Sequence, residues 1–142
     1  KYDENGNAAD WWTAEDYAAL QQRCAQVVDL YDGVEAAPGI VCSGERTLSE
    51  NIADLGAVAC ITEIAGQLEN PDYAALYTAV AETWYASYPR QTRAYLAQND
   101  VHAPDKLRAN VVLQNFDAFY EAFGITEDDA MWLPPEQRVT IW

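Results

Sequence analysis

Apolar residues return at helical spacing from Tyr17 through Leu20, Cys24, Val27, Val28 and Tyr31, which predicts a first helix. Thr13 stands before it as an N-cap, with Glu15 and Asp16 in the first turn where the helix dipole favours acids, and Gly33 closes it. The period breaks over residues 34–46. There Pro38-Gly39 and Ser43-Gly44 bracket the short apolar run Ile40-Val41-Cys42, one strand of a small hairpin. Helical spacing resumes near Thr47 and lasts to about Gly66. Asn70-Pro71 reads as an N-cap with proline at N1, opening a third helix through Ala86. Pro89 and Pro104 are expected to start shorter helices in the same way, and Asn115 to cap the segment Phe116 to Phe123 that Gly124 ends. After Pro134-Pro135 the tail reads as irregular. The pattern predicts a mainly α chain with at most a short β-hairpin near residues 36–48, and no low-complexity linker divides residues 1–142.

Composition narrows the classes. The 142 residues are 50% hydrophobic, which is enough for a core and argues against disorder. No run of eighteen apolar residues forms a membrane-spanning helix. The net charge of −15, from 23 acidic and 8 basic residues, repels phosphate backbones and anionic lipid, so nucleic acid and membrane surfaces are disfavoured partners. Cys24, Cys42 and Cys60 are an odd number without metal-site spacing; Cys24 and Cys60 are expected to be packed thiols, and a Cys42–Cys60 bridge stays open. Residue 1 is Lys, with no signal-peptide pattern after it, so the chain is expected to be part of something longer or a processed product.

Glu50 and Asp54 carry the most specific chemical signal. At i and i+4 they share one helical face, where one carboxylate can ligate a metal and the other steady a neighbouring ligand. Glu50 has a plainer reading, since Thr47-x-x-Glu50 is a capping box. Asp54 has no such role. It lies between Ile52, Leu55 and Val58 on a half-apolar helix, where an acid needs a partner, and a metal-bound histidine is one. Yet His102 is the sole histidine, and there is no His-Glu-x-x-His helix. Asp100, two residues before His102, can hold its ring, and an imidazolium so held is the kind of donor that stabilises an oxyanion; the alternative is a structural or surface histidine. Arg108 reads either as a surface cation or as a fork for a substrate carbonyl. Trp11-Trp12, Trp84, Tyr85, Tyr88 and Phe119 are assigned to the core or to an inter-domain contact.

Taken in order, these motifs resemble the catalytic domain of the neprilysin family of zinc metalloendopeptidases, a zincin-like fold. Tyr2-Asp3-x-x-Gly6 with Asp10-Trp11-Trp12-Thr13, Glu50-Asn51-Ile52-Ala53-Asp54, Asp100-Val101-His102-x-Pro104 with Arg108, Leu113-x-Asn115, Glu121-Ala122-Phe123 and Trp142 all fall at suitable spacing. The resemblance covers nearly the whole chain, from just after that family's zinc helix to its C-terminus. It implies that Glu50 is the third zinc ligand and that Asp54 orients one of two histidines absent here. It further implies that His102 stabilises the oxyanion of the tetrahedral intermediate and that Arg108 binds the substrate's backbone carbonyl. The general base and the substrate-binding strand would lie upstream.

There are departures from the family pattern. Ser49 stands for glycine, Pro89-Arg90 reverses an Arg-Pro order, and Thr140 replaces an arginine. Tyr85 and Ile125 occupy positions where vertebrate members carry cysteines, which implies a bacterial-type member. The expectation is a helical fragment of a catalytic domain, with zinc and a peptide substrate in the full-length protein. Alone it should bind no zinc and hydrolyse nothing; its partner is the remainder of the same polypeptide. The family's range allows cell-envelope, secreted or cytoplasmic placement. The other classes are a non-catalytic helical binding module derived from such a peptidase, and a purely structural domain.

Overall fold

A computed structural model describes residues 2–141. The first helix, α1, spans Ala14–Tyr31, and the Thr13 hydroxyl accepts from the Asp16 amide at 3.1 Å, as the sequence predicts. The hairpin follows, with β1 at Glu35–Ala37 antiparallel to β2 at Ile40–Val41. Then come α2 (Gly44–Gly66), α3 (Tyr73–Thr83), α4 (Arg90–Asn99), α5 (Asp105–Leu113) and α6 (Asp117–Phe123), and a single 3-10 turn at Pro135–Gln137. The described residues are thus mainly helical with one two-stranded sheet.

Several helix starts differ from the sequence expectation, each for a local reason. α2 opens at Gly44, three residues before Thr47, because Ser43 is its N-cap, its side chain accepting from the Arg46 amide. Thr47 is therefore inside the first turn, donating to the Ser43 carbonyl at 2.9 Å and accepting from Asn51 Nδ2 at 2.8 Å. No capping box forms, and Glu50 is left without that role. Asp72, not Asn70, caps α3 by accepting from the Ala75 amide at 2.9 Å, and the helix ends at Thr83. Pro89 and Pro104 occupy the N-cap positions of α4 and α5 instead of N1. Asn115 closes α5 instead of capping α6: its amide donates to the Val111 carbonyl at 2.7 Å, and its Oδ1 accepts from the Val139 amide. Gly124, at φ 62°, ends α6 in the left-handed conformation that glycine adopts without strain.

α1 packs chiefly on α2, α2 on α5, and α3 on α6. Gly44 makes the first of these junctions close. A Cβ there would press on the Val28 carbonyl and lie 3.0 Å from the Asp32 amide, while the bare Gly44 amide donates to Asp32 Oδ1 at 2.9 Å. The core gathers Val27, Leu55, Tyr77, Val112 and Phe119, and the tail closes over it through buried Val139 and Ile141. Arg23 holds that tail by donating to the Ile141 carbonyl. All three cysteines are free; Cys42 is buried and Cys24 partly so, but Cys60 is exposed and not a packed thiol. Trp11 and Trp12 are also exposed, so among the described residues they contribute no core.

Tyr31 is fully buried at the end of α1, and its hydroxyl has no hydrogen-bond partner among the described residues. Burial, and then the nearby Asp54 carboxylate, push this hydroxyl far above the ordinary phenol range. In the unfolded chain it would ionise near pH 10, so the unfolded state loses its proton first. Stability from this group is full below that pH and falls as pH rises beyond it. Tyr31→Phe is expected to flatten the decline in urea midpoint between about pH 9 and 11. An equally steep decline in the variant would refute the assignment.

Candidate functional site

Because α2 is continuous through residues 44–66, Glu50 and Asp54 stand one turn apart on the same face, as their spacing predicts. α5 crosses this face and supplies Arg108; the bend between α4 and α5 supplies Asp100 and His102. Residues far apart in sequence thus meet in one place.

Asp54 and Arg108 form a bidentate fork, Nε to Oδ2 at 2.7 Å and Nη2 to Oδ1 at 2.8 Å. Both side chains are only 13% exposed, so each charge depends on the other for compensation. The hydrogen bonds that it donates to Asp54, opposed by burial, hold the guanidinium above its ordinary range, so it stays charged at any working pH. The sequence led to a histidine partner for Asp54; within the chain its partner is Arg108. Each carboxylate oxygen keeps a lone pair for a further donor.

His102 lies between two acids. Its Nδ1 is 2.8 Å from Asp100 Oδ1 and its Nε2 is 3.2 Å from Glu50 Oε2, with the side chains of His102 and Glu50 41% and 35% exposed. The Asp100 carboxylate also accepts from the His102 backbone amide at 3.1 Å. Its hydrogen bonds with the His102 ring and backbone hold Asp100 below the usual carboxylate range.

One contact was invisible to sequence reasoning. The Trp84 ring, at the C-terminus of α3, lies under the guanidinium, with Arg108 Cζ 3.6 Å from the ring centroid. No local pattern signals this, because tryptophan and arginine are 24 residues apart on different helices. A cavity of about 420 Å³ opens beside the site, bounded by Trp84, Arg93, Asp100, His102 and Arg108. Among the described residues no three His, Cys, Asp or Glu side chains cluster as a metal cage.

The profile of peptidase family M13 matches residues 1–139. The chain belongs to that family. The resemblance to neprilysin-type metallopeptidases that the motifs carry is therefore borne out, as is the mainly helical fold. A neutral endopeptidase of Lactobacillus helveticus is 42% identical over 142 residues. The crystal structure of PepO from Lactobacillus rhamnosis superposes at a TM-score of 0.90, with 35% identity over 99% of this chain. The inhibitor-bound zinc metalloprotease Zmp1 of Mycobacterium tuberculosis superposes at 0.89, with 32% identity over 100% of this chain. The chain spans 22% of the length of the Lactobacillus helveticus protein, 22% of the PepO chain and 24% of the Zmp1 chain.

Proposed function

We propose that this M13 chain is the part of a zinc metalloendopeptidase catalytic domain that follows the zinc-binding helix, and that it supplies one metal ligand and the groups that stabilise the transition state. One observation carries the reading: Glu50 and Asp54 on α2 meet Asp100 and His102 from the bend between α4 and α5 and Arg108 on α5, with Asp100, His102 and Arg108 on the wall of one cavity. A purely structural role explains the buried Asp54–Arg108 fork. It does not explain two further acids and a histidine held half-exposed against one another.

Glu50 fits a zinc ligand. It is a half-exposed carboxylate, free of any cap, whose Oε2 lies 3.2 Å from a ring nitrogen of His102. Glu50, together with two histidines from the rest of the polypeptide, would hold zinc in a three-ligand catalytic site, and the metal would supply Lewis-acid chemistry toward the scissile carbonyl. Asp54 is placed one turn along to accept from the second nitrogen of one of those histidines, while Arg108 keeps it anionic and fixed. Asp100 Oδ1 holds His102 Nδ1, which leaves Nε2 as the outward donor. When Glu50 is engaged elsewhere, that Nε2 proton is available to the oxygen that gains negative charge as a peptide bond is attacked. Arg108 directs to substrate the N–H groups that Asp54 does not take. The general base belongs to the segment not in this chain, and the substrate is a peptide.

The isolated chain is then an incomplete site. After dialysis it is expected to retain no stoichiometric zinc by elemental analysis and to cleave no reporter peptide. Stoichiometric zinc in that sample would overturn the reading of Glu50 as one ligand among several separately supplied ones.

A further inference from the structure

Of the chain's 8 basic residues, Arg93, Lys106 and Arg108 all border the one cavity, although the net charge is −15. Arg108 is committed to Asp54. Arg93 and Lys106 are exposed, and among the described residues neither makes an ion pair. Neighbouring cations are occupied elsewhere: Arg90 lies against Gly39 of the hairpin, and Arg46 donates to the Ala97 carbonyl at 3.2 Å. Arg93 and Lys106 also stand within the first four residues of α4 and α5, where the helix dipole disfavours a cation. Helix stability therefore gives no reason for either charge. Two acids share the wall, and both are engaged. Asp100 holds His102, while Asp105 sits in the first turn of α5, where the dipole favours it, and acts on nearby Arg108. Between the charges the wall is apolar, formed by Ile40, Leu96, Ala97 and Ala103.

We infer that this cavity receives an acidic side chain of the peptide substrate, with Arg93 and Lys106 as the specificity-determining cations for its carboxylate. The apolar wall packs against the methylene stem, which favours glutamate over the shorter aspartate. Arg93 can take the carboxylate through two parallel N–H donors, whereas Lys106 contributes a point charge. The inference rests on the proposed function and narrows its substrate class. Arg108, on the same wall, engages the peptide backbone, so the selected residue is a close neighbour of the scissile bond.

The test uses the full-length peptidase and fluorogenic peptides with amidated C-termini. These differ only in carrying Glu, Gln or Lys at one position, scanned across the residues that flank the scissile bond. At one position the Glu peptide is expected to exceed the Gln peptide in kcat/KM by about fivefold, a ratio that shrinks as salt is raised. Arg93→Gln should bring that ratio to about twofold or less, and Lys106→Gln should lower it by a smaller factor. Arg93→Glu should turn the preference toward the Lys peptide, a result that damage to the fold cannot produce. A Glu-to-Gln ratio near one at every position overturns the inference, as does a ratio that both Gln variants leave unchanged. A Gln peptide with a free C-terminal carboxylate examines the other source of the same group. If it alone gains over its amide, and Arg93→Gln removes the gain, the cavity takes a chain terminus and the inference is overturned. Arg108→Ala reports separately on the site: unchanged kcat/KM for every peptide would sink the proposed function itself. Impaired turnover in Arg108→Ala, with a ratio insensitive to Arg93, would sink this inference alone.

Discussion

Replacing Asp54 by alanine is expected to lower the unfolding free energy of the isolated chain by about 3 kcal/mol, which is a large share of the stability of a domain this size. The cause is what remains behind. Arg108 is only 13% exposed and stays charged, so losing both carboxylate oxygens leaves a shielded guanidinium with no counter-ion and two unpaired donors. The double substitution Asp54→Leu with Arg108→Met should recover most of that loss, because two apolar side chains carry no such penalty. Urea unfolding of the three proteins measures both numbers. A loss below about 1 kcal/mol for Asp54→Ala would mean that the fork is as solvent-screened as a surface pair and does not clamp α5 onto α2.

Glu50→Ala should behave in the opposite way. In the isolated chain its carboxylate faces a half-exposed His102, and exposed pairs contribute little, so stability should move by about 0.5 kcal/mol or less. In the full-length protein the same change should abolish stoichiometric zinc and reduce peptide hydrolysis to background, because two histidines alone do not complete a tight tetrahedral site. Elemental analysis and a fluorogenic peptide assay on the same preparation separate the two effects. Retained zinc with normal turnover would remove Glu50 from the ligand set. The pair of variants would divide the proposed functions of two acids one turn apart, with Asp54 expected to serve the fold as well as the site and Glu50 the site alone.

Much of this was legible in the chain. The ends of α1, the stop at Gly124 and the hairpin between glycine-containing turns were predictable, since caps, breakers and periodicity act over a few residues. The order of the motifs around Glu50 and His102 led to the family that the comparison then established. Local rules also misled. Thr47-x-x-Glu50 has the spacing of a capping box, but Ser43 and Gly44 begin the helix earlier because glycine alone tolerates the contact with α1. That contact belongs to the packing of two helices, and no four-residue pattern contains it.

By itself the sequence determined the order of the motifs and that Glu50 and Asp54 share one helical face, because residue type and helical period are local properties. The tertiary structure decided which of them are partners. Asp54 finds Arg108 across 54 residues, His102 reaches both Asp100 and Glu50, and Trp84 lies beneath the same arginine. Those pairings follow from how α3 and α5 pack against α2, and helix packing is set by the summed burial of many apolar side chains. An isolated motif holds no record of that sum.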